Sequence, residues 1–295
     1  MSQGFDVPSR PRRVRATAYP QRDIVVGGLR LRYIDVPPDE PAGALPLLLV
    51  HGLSSRIEEY DGLVPLLARR HRVLVVDLPG SGYSDKPDRP YSLRFYEDTL
   101  LGFLDALGIG EAHVAGGSLG GNLVLRLGHR EPQRFPRLAA WAPAGAWEPF
   151  RWLARLGRVL GGRALFWPMI WGQSRFWYDA RWPGRAHALR EAFEHYREVM
   201  SRGFVRMYWE IAIEQVATTL FPHAPEIRQP TLLLWGDQDH GLNMGAGVKR
   251  LRALLPRAEL KVFPGARHSL AAEVPAPLAG AVDEFLLRPM PIAAE

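Results

Sequence analysis

Short apolar runs alternate with amphipathic stretches along most of the chain, and this pattern predicts strands that alternate with helices. The predicted strands are 23–36, as a hairpin turning at Gly27-Gly28, and 46–50, 73–76, 112–115, 138–142, 231–235 and 260–263. The predicted helices are 60–70, 92–107, 119–129, 246–255 and 278–287. Most of these strands are wholly apolar, which is typical of a parallel sheet covered on both faces. We therefore expect an α/β fold with a mostly parallel central sheet flanked by helices.

The alternation is interrupted over 145–222, where only helical stretches separated by Gly and Pro occur. This insertion follows the carboxyl end of a strand, which is the edge where open α/β sheets bind ligands. We expect three parts: a flexible Arg-rich arm over 1–22, a core formed by 23–144 and 223–295, and a helical insertion over 145–222.

Ser118 lies in the sequence Gly116-Gly-Ser-Leu-Gly120, between the predicted strand 112–115 and the predicted helix that begins near residue 119. A serine on a sharp strand-to-helix turn exposes its Oγ at the amino terminus of a helix, where the dipole favours negative charge. Small neighbours let the chain pass closely at such a turn. This context, rather than the five-residue pattern alone, makes Ser118 the candidate nucleophile.

Asp239 and His268 also follow predicted strands, 231–235 and 260–263. The carboxyl ends of parallel strands lie at one edge of a sheet, so both residues share an edge with Ser118. The order Ser, Asp, His is the one expected for nucleophile, acid and base on a doubly wound sheet. Asp237 is the competitor for the acid role.

These motifs together resemble the α/β-hydrolase-fold superfamily over about residues 23–287, and its capped Ser-His-Asp members in particular. The matching residues are His51-Gly52, Gly116-Gly-Ser118-Leu-Gly120, Gly236-x-x-Asp239, Gly265-x-x-His268 and His268-x4-Glu273-x-Pro275. The resemblance implies that His268 accepts the proton of Ser118 and that Asp239 orients the imidazole. It also implies that the main-chain N–H groups of Leu53 and Leu119 form an oxyanion hole, and that 145–222 is a helical cap.

A serine nucleophile favours cleavage of carboxylic esters, lactones or thioesters of small hydrophobic substrates. Hydrolases that cleave C–C bonds in aromatic-ring breakdown products are the alternative, although they usually carry a glycine-rich stretch where this chain has Leu53-Ser-Ser-Arg56. A ligand-binding protein of this fold without turnover is the alternative outside enzymes. We expect Trp167, Trp171 and Trp177 to contact the substrate, because aromatic side chains supply rigid apolar area.

The net charge is +6, and the chain has no cysteine, which excludes a thiol nucleophile and Cys-ligated metals. The histidine spacings match no metal motif and there is no phosphate-binding loop, so we expect neither a metal nor a cofactor. His51, next to the oxyanion turn, is expected to have a structural role. The oligomeric state is left open.

Much of the excess positive charge lies in 1–22 and 145–222, and 145–222 also holds seven of the nine Trp. No nucleic-acid-binding motif accompanies this charge, so we expect no nucleic-acid partner. No apolar run approaches the ~18 residues that span a bilayer. We expect a soluble, cytoplasmic protein, with weak peripheral contact with an anionic membrane as the lesser alternative.

Overall fold

One mixed sheet carries the residues singled out above. The computed structural model of the protein describes residues 17–40, 44–241 and 244–289, and within these ranges eight strands form this sheet. The strands are β1 (Gln21–Val26), β2 (Leu29–Val36), β3 (Leu47–Val50), β4 (Val73–Val76), β5 (His113–Gly117), β6 (Leu138–Trp141), β7 (Thr231–Gly236) and β8 (Ala258–Phe263). Their spatial order is β1-β2-β4-β3-β5-β6-β7-β8. β2 pairs antiparallel with β1 and β4, and the other pairings are parallel, as expected.

Helices cover both faces of the sheet. They are α1 (Val64–Leu67), α2 (Leu93–Ala106), α3 (Leu119–Arg130), α4 (Arg151–Leu160), α5 (Arg163–Trp177), α6 (Arg185–Val199), α7 (Arg202–Ala217), α8 (Met244–Leu254), α9 (Leu270–Glu273) and α10 (Pro275–Leu287). Two short 3-10 turns span Ile57–Tyr60 and Ala224–Glu226. Ser92 begins α2 by accepting a hydrogen bond from the Phe95 amide at 3.1 Å, so the polar residue before the apolar stretch acts as its cap.

Successive side chains of the central strands pack on opposite faces of the sheet. Leu48 and Val50 pack with residues of α2, α3 and α8, whereas Leu47 and Leu49 pack with residues of α1 and α10. All four are fully buried. Because burying one such side chain contributes about 1.5–3 kcal/mol, both layers stabilise the sheet.

Helices α4 to α7 lie between β6 and β7 in the chain. The two ends of this segment are hydrogen-bonded to each other, since the Leu220 amide donates to the Gly145 carbonyl at 2.9 Å and the Phe150 amide donates to the Val216 carbonyl at 2.7 Å. The segment therefore leaves the sheet and returns to it at one place. Its interior is aromatic, with Phe166 fully buried and in edge contact with four other rings, those of Trp167, Tyr196, Phe204 and Tyr208.

Two predictions about the elements need correction. The helix predicted over 60–70 is wrong over most of its length, because only α1 forms there and Pro65 lies in its first turn. Proline is tolerated in the first turn of a helix and not in its interior, so no helix can run from residue 60 through Pro65. The expected arm over 1–22 ends too late, because Gln21 and Arg22 belong to β1. Residues 1–16 lie outside the described residues.

Asp77, directly after β4, is the centre of a buried ionic cluster. Its carboxylate accepts hydrogen bonds from Arg32 Nε at 2.6 Å and from the amides of Ile57 at 2.8 Å and Tyr83 at 2.7 Å. Arg32 is itself buried and also binds Glu58. Burial alone would raise the pKa of the Asp77 carboxyl, but the charge and the hydrogen bond of Arg32 outweigh it and lower that pKa. The cluster thereby ties β2, β4 and two loops at the carboxyl edge together.

We expect Asp77→Asn to lower the free energy of unfolding by about 3 kcal/mol, since a buried charge loses its partner. Asp98→Asn is the matched control: its carboxylate is about half exposed in a surface ion pair, and its loss should cost less than about 1 kcal/mol. Urea unfolding measures both. Because the native pKa of Asp77 is lowered, its contribution is present above the unfolded-state pKa and lost as the pH falls. The difference between the wild type and Asp77→Asn should therefore shrink below about pH 4, and a pH-independent difference would contradict this account.

Candidate active site

The candidate residues gather at the point where the strand order reverses. β3 lies between β4 and β5, so the connections that follow β3 and β5 lead to opposite sides of the sheet. This arrangement opens a crevice at the carboxyl ends of the two strands, where open α/β sheets bind ligands. His51-Gly52 follows β3, and Ser118 follows β5.

Ser118 adopts a strained main-chain conformation between β5 and α3. Its φ is 56° and its ψ is −117°, a combination that costs a non-glycine residue about 1–3 kcal/mol. Three hydrogen bonds hold it there: its amide donates to the Trp141 carbonyl at 3.0 Å, and its carbonyl accepts from the amides of Asn122 at 3.0 Å and Ala144 at 2.9 Å. The surrounding structure thus imposes the sharp turn predicted from the sequence, and Ser118 remains partly exposed.

Two glycines make this turn sterically feasible. A Cβ atom on Gly120 would lie 1.8 Å from the Val50 carbonyl oxygen, and one on Gly116 would lie 2.5 Å from the same atom. The end of β3 therefore packs directly against the main chain on both sides of Ser118. No larger residue fits at either position without moving the turn.

The loop after β3 lies beside Ser118. A Cβ built on Gly52 would be 3.6 Å from the Ser118 Cβ, which brings the Leu53 amide close to the nucleophile candidate. The Leu119 amide belongs to the first residue of α3 and so has no acceptor within the helix. His51 accepts from the Leu78 amide at 3.0 Å through Nε2 and lies 2.7 Å from the Gly52 carbonyl through Nδ1. Both ring nitrogens are thus engaged by the main chain, which is a structural role.

Asp239, and not Asp237, contacts His268. His268 Nδ1 lies 2.8 Å from Asp239 Oδ2, and the Asp239 side chain is almost completely buried. Asp237 is exposed and accepts from the Gly265 amide at 2.8 Å instead. The hydrogen bond to Asp239 places the ring proton on Nδ1 and leaves Nε2 as the basic nitrogen.

Gly236 allows the loop after β8 to cross the sheet. This loop carries His268, and we call it the histidine loop. A Cβ atom on Gly236, the last residue of β7, would lie 2.4 Å from the carbonyl oxygens of both Ala266 and Arg267. The loop after β8 therefore crosses directly over the end of β7 toward the inner strands. Gly265 starts this crossing with a φ of 75°, a conformation that glycine adopts without strain.

The charges around His268 favour its protonated form. Burial disfavours the imidazolium, but the charge and the hydrogen bond of Asp239 outweigh burial and raise the pKa of His268, and Glu59 and Glu273 act in the same direction. The carboxylate of Glu59 also lies 3.4 Å from the Gly52 amide. Glu59 lies on the 3-10 turn, one residue before the helix predicted over 60–70, and no motif in the sequence marks it.

Glu273 links the histidine loop to the end of α5. Its carboxylate accepts from the Arg267 amide at 3.3 Å and from the Asp179 amide at 3.1 Å. The Ser269 amide donates to the Trp177 carbonyl at 3.0 Å. Burial raises the pKa of Glu273, although these amides oppose the shift.

The three candidate tryptophans occupy different environments. Trp177 is half-buried and makes an edge contact with Tyr196, whose hydroxyl lies 3.2 Å from Ser54 Oγ in the loop after β3. Trp167 is half-buried and stacks on Phe193. Trp171 is 58% exposed, and the guanidinium of Arg175 lies 3.6 Å from the centre of its ring. Its contact with substrate stays a prediction, and a weaker one than for Trp167 and Trp177.

One group of metal-ligating side chains occurs away from the crevice. His129, His223 and Glu226 place their ligand atoms within 4.8 Å of one another at the surface. His129 Nε2 lies 2.9 Å from the Glu226 carboxylate, and this ion pair accounts for their proximity without an ion. The sequence did not reveal the group because its members are almost a hundred residues apart.

Comparisons with known proteins agree with this fold. A sequence model of a family described as alpha/beta hydrolase fold matches residues 46–155. A 2-hydroxymuconate semialdehyde hydrolase of Pseudomonas sp. (strain CF600) is 28% identical over 277 residues, covering 90% of this chain and 93% of that protein. A hydrolase from Pseudomonas aeruginosa superposes with a TM-score of 0.76 at 26% identity, covering 92% of this chain and 100% of that one. An enol-lactonase from Burkholderia xenovorans LB400 superposes with a TM-score of 0.74 at 24% identity, covering 90% of this chain and 100% of that one.

We expect Asp239→Asn to lower the pKa of His268, because the neutral amide removes the charge that stabilises the imidazolium. Asp237→Asn deletes an equal charge two residues away on a side chain that contacts Gly265, and it should leave the pKa of His268 nearly unchanged. NMR titration of the His268 ring protons measures both. Equal shifts in the two variants would mean that the His268–Asp239 contact does not control the ring.

Proposed function

The chain belongs to the α/β-hydrolase superfamily, and from this premise we propose that it is a serine hydrolase that forms an acyl-enzyme at Ser118. The fold and the relatives support hydrolase activity. We propose that it cleaves a carboxylic ester, lactone or thioester bond in a small hydrophobic substrate.

One observation carries this proposal: a partly exposed serine in a strained turn lies at the same edge of the sheet as a partly exposed His268 that contacts the buried Asp239. A serine hydroxyl is a weak nucleophile unless a positioned base removes its proton, and the base needs a third group to fix its tautomer. Asp239 supplies that group through its contact with Nδ1.

In the acylation step, His268 Nε2 takes the Ser118 proton as Oγ attacks the substrate carbonyl. The amides of Leu53 and Leu119 donate hydrogen bonds to the oxygen that becomes negative. The tetrahedral intermediate then collapses, the bond to the leaving alcohol or thiol breaks, and His268 delivers its proton to that group. The acyl group is left as an ester of Ser118.

In the deacylation step, a water molecule gives a proton to His268 Nε2 and its oxygen attacks the acyl carbonyl. The same two amides stabilise the second oxyanion. Collapse of this intermediate releases the carboxylic acid and returns the proton from His268 to Ser118 Oγ.

We propose that residues 145–222 form a cap that selects the substrate, over a core of 23–144 and 223–295. The hydrogen bonds that close the two ends of the inserted helices support this division. Trp177 lies beside Tyr196 and the loop after β3, and the side chains of Trp167 and Phe193 continue this aromatic wall. Rigid apolar side chains of this kind favour a hydrophobic acyl or alcohol group.

The second candidate is hydrolysis of a C–C bond in a ring-cleavage product. It is favoured by two relatives named 2-hydroxymuconate semialdehyde hydrolase, which are 28% and 25% identical and match over more than nine-tenths of their own length. It is opposed by the loop after His51-Gly52, where this chain has Leu, Ser, Ser and Arg instead of a glycine-rich stretch. The same serine, histidine and aspartate would serve this reaction.

We expect the wild type to hydrolyse p-nitrophenyl esters of short acyl chains and to be labelled at Ser118 by a fluorophosphonate. Ser118→Ala should abolish labelling and lower the hydrolysis rate by at least about a thousandfold. Asp237→Asn is the control and should retain both, because its carboxylate does not contact His268.

The two candidate reactions are separated by a parallel assay with the coloured dienol 2-hydroxymuconate semialdehyde. Faster bleaching of the dienol than release of p-nitrophenol would favour the C–C hydrolase. A folded protein with no turnover of either substrate and no label at Ser118 would leave ligand binding as the function.

A further inference from the structure

Helix α4 turns its apolar side toward solvent. Ala154 is buried, and a Cβ built on Gly157 would lie 3.0 Å from the Ile213 side chain, so the small residues of α4 face α7. On the opposite side, Trp152 is 67% exposed and Val159 is 81% exposed. A surface helix of a globular domain normally shows the reverse arrangement.

The exposed apolar surface continues onto α5. Leu165, Met169 and Phe176 are exposed at spacings of four and seven residues, which places them on one side of the helix. Among the residues that the structure describes, ten large apolar side chains are exposed, and eight of them lie on α4 and α5: Trp152, Leu156, Val159, Leu160, Leu165, Met169, Trp171 and Phe176. Without Trp171, which lies on a different side of α5, these side chains form what we call the apolar face. Such a concentration marks an interaction surface.

The charge that accompanies the apolar face is entirely positive. Residues 149–178 contain five arginines and neither Asp nor Glu: Arg151, Arg155, Arg158, Arg163 and Arg175. In the described parts of the chain, none of the five forms an ion pair with an acidic side chain, and Arg175 lies over the Trp171 ring instead. Their charges are therefore available to an anionic partner.

A groove of about 430 Å³ lies between α7 and the junction of α4 and α5, on the inner side of α4. Its lining includes Arg158, Arg163 and Arg202, with the Trp209 ring at its wall. Glu210, the acidic residue of this lining, is already bound to Arg206 and to the Tyr91 amide.

We propose that the apolar face docks on the surface of a bilayer that contains anionic phospholipids. A helix with Trp, Leu and Val on one side and arginines along its borders lies in the plane of the interface, with its apolar side among the acyl chains. The arginine side chains reach the phosphate groups, and tryptophan favours the same depth. The contact is peripheral, since no helix among the described residues is long and apolar enough to cross a membrane.

The positive charge beside the apolar face favours an anionic membrane over a second copy of the chain as its partner. A symmetric dimer through the apolar face would bring the five arginines of one protomer close to those of its partner, with no acidic residue in 149–178 to offset them. An anionic lipid surface instead attracts each arginine. The proposal does not depend on the reaction at Ser118, because no residue of the apolar face, as defined without Trp171, has a role in the proposed mechanism.

Co-sedimentation of the full chain with vesicles tests the proposal. We expect it to bind phosphatidylcholine vesicles with about one-third phosphatidylglycerol, to bind pure phosphatidylcholine far more weakly, and to be released by high salt. Arg151→Gln/Arg155→Gln/Arg158→Gln should weaken partitioning by about a hundredfold, at roughly fivefold for each charge. The matched control, Arg69→Gln/Arg252→Gln/Arg257→Gln, removes the same charge from exposed positions elsewhere and should lose less than about threefold.

The apolar contribution is tested separately. Leu156→Glu/Val159→Glu should abolish vesicle binding, whereas Val25→Glu/Val262→Glu, at comparably exposed positions on β1 and β8, should not. Circular dichroism establishes whether each variant is folded. If an apolar variant does not fold, the comparison of the two arginine triple variants tests the proposal on its own. Equal losses in the test and control sets, or binding without preference for the anionic lipid, would overturn the proposal. So would a dimer in wild-type protein that Leu156→Glu/Val159→Glu dissociates while vesicles bind neither form.

Discussion

The site depends on how closely the main chain can approach itself at the carboxyl edge of the sheet. The Val50 carbonyl occupies the space that side chains at positions 116 and 120 would need, so the strand before the oxyanion turn and the turn at Ser118 share one contact. The histidine loop crosses the end of β7 in the same way, over Gly236. The loops that carry Ser118 and His268 can therefore approach the neighbouring strands only because glycines, which have no side chain, lie at these three positions.

Buried charges stabilise the loops around these close approaches. Asp77 satisfies two loop amides that have no partner in the sheet, and Arg32 compensates its charge. Near Ser118 the charges are mostly acidic: Asp239, Glu59 and Glu273 all favour the charged form of His268. The protonated form of His268 is thus stabilised by several carboxylates, and the one on Asp239 also contacts the ring directly.

The sequence predicts this fold well where its signals are local. Wholly apolar strands, the cap residue Ser92 and the glycines around Ser118 each act within a few residues, and the structure places them as expected. Features that depend on tertiary contacts are harder to predict from the sequence. Asp237 and Asp239 follow the same strand, and only the path of the crossing loop decides which of them meets His268.

The exposure of side chains, and the grouping of residues that are distant in the sequence, are the hardest properties to predict from the sequence. Seven of the nine tryptophans lie in one segment, and Trp171 was expected to contact the substrate, yet Trp152 and Trp171 are both exposed. On α4 the small residues Ala154 and Gly157 occupy the inner side instead. Glu59 carries no sequence motif, and only the fold brings its charge near His268. Composition alone does not tell which side of a helix its neighbours will cover.

The contacts at the end of α5 have a mechanical consequence. Ser269 donates to the Trp177 carbonyl, and Glu273 holds the amides of Asp179 and Arg267 together. Any outward movement of this helix end has to break those bonds, and the segment they release is the one that carries the general base. The position of this helix end and the position of His268 are therefore coupled.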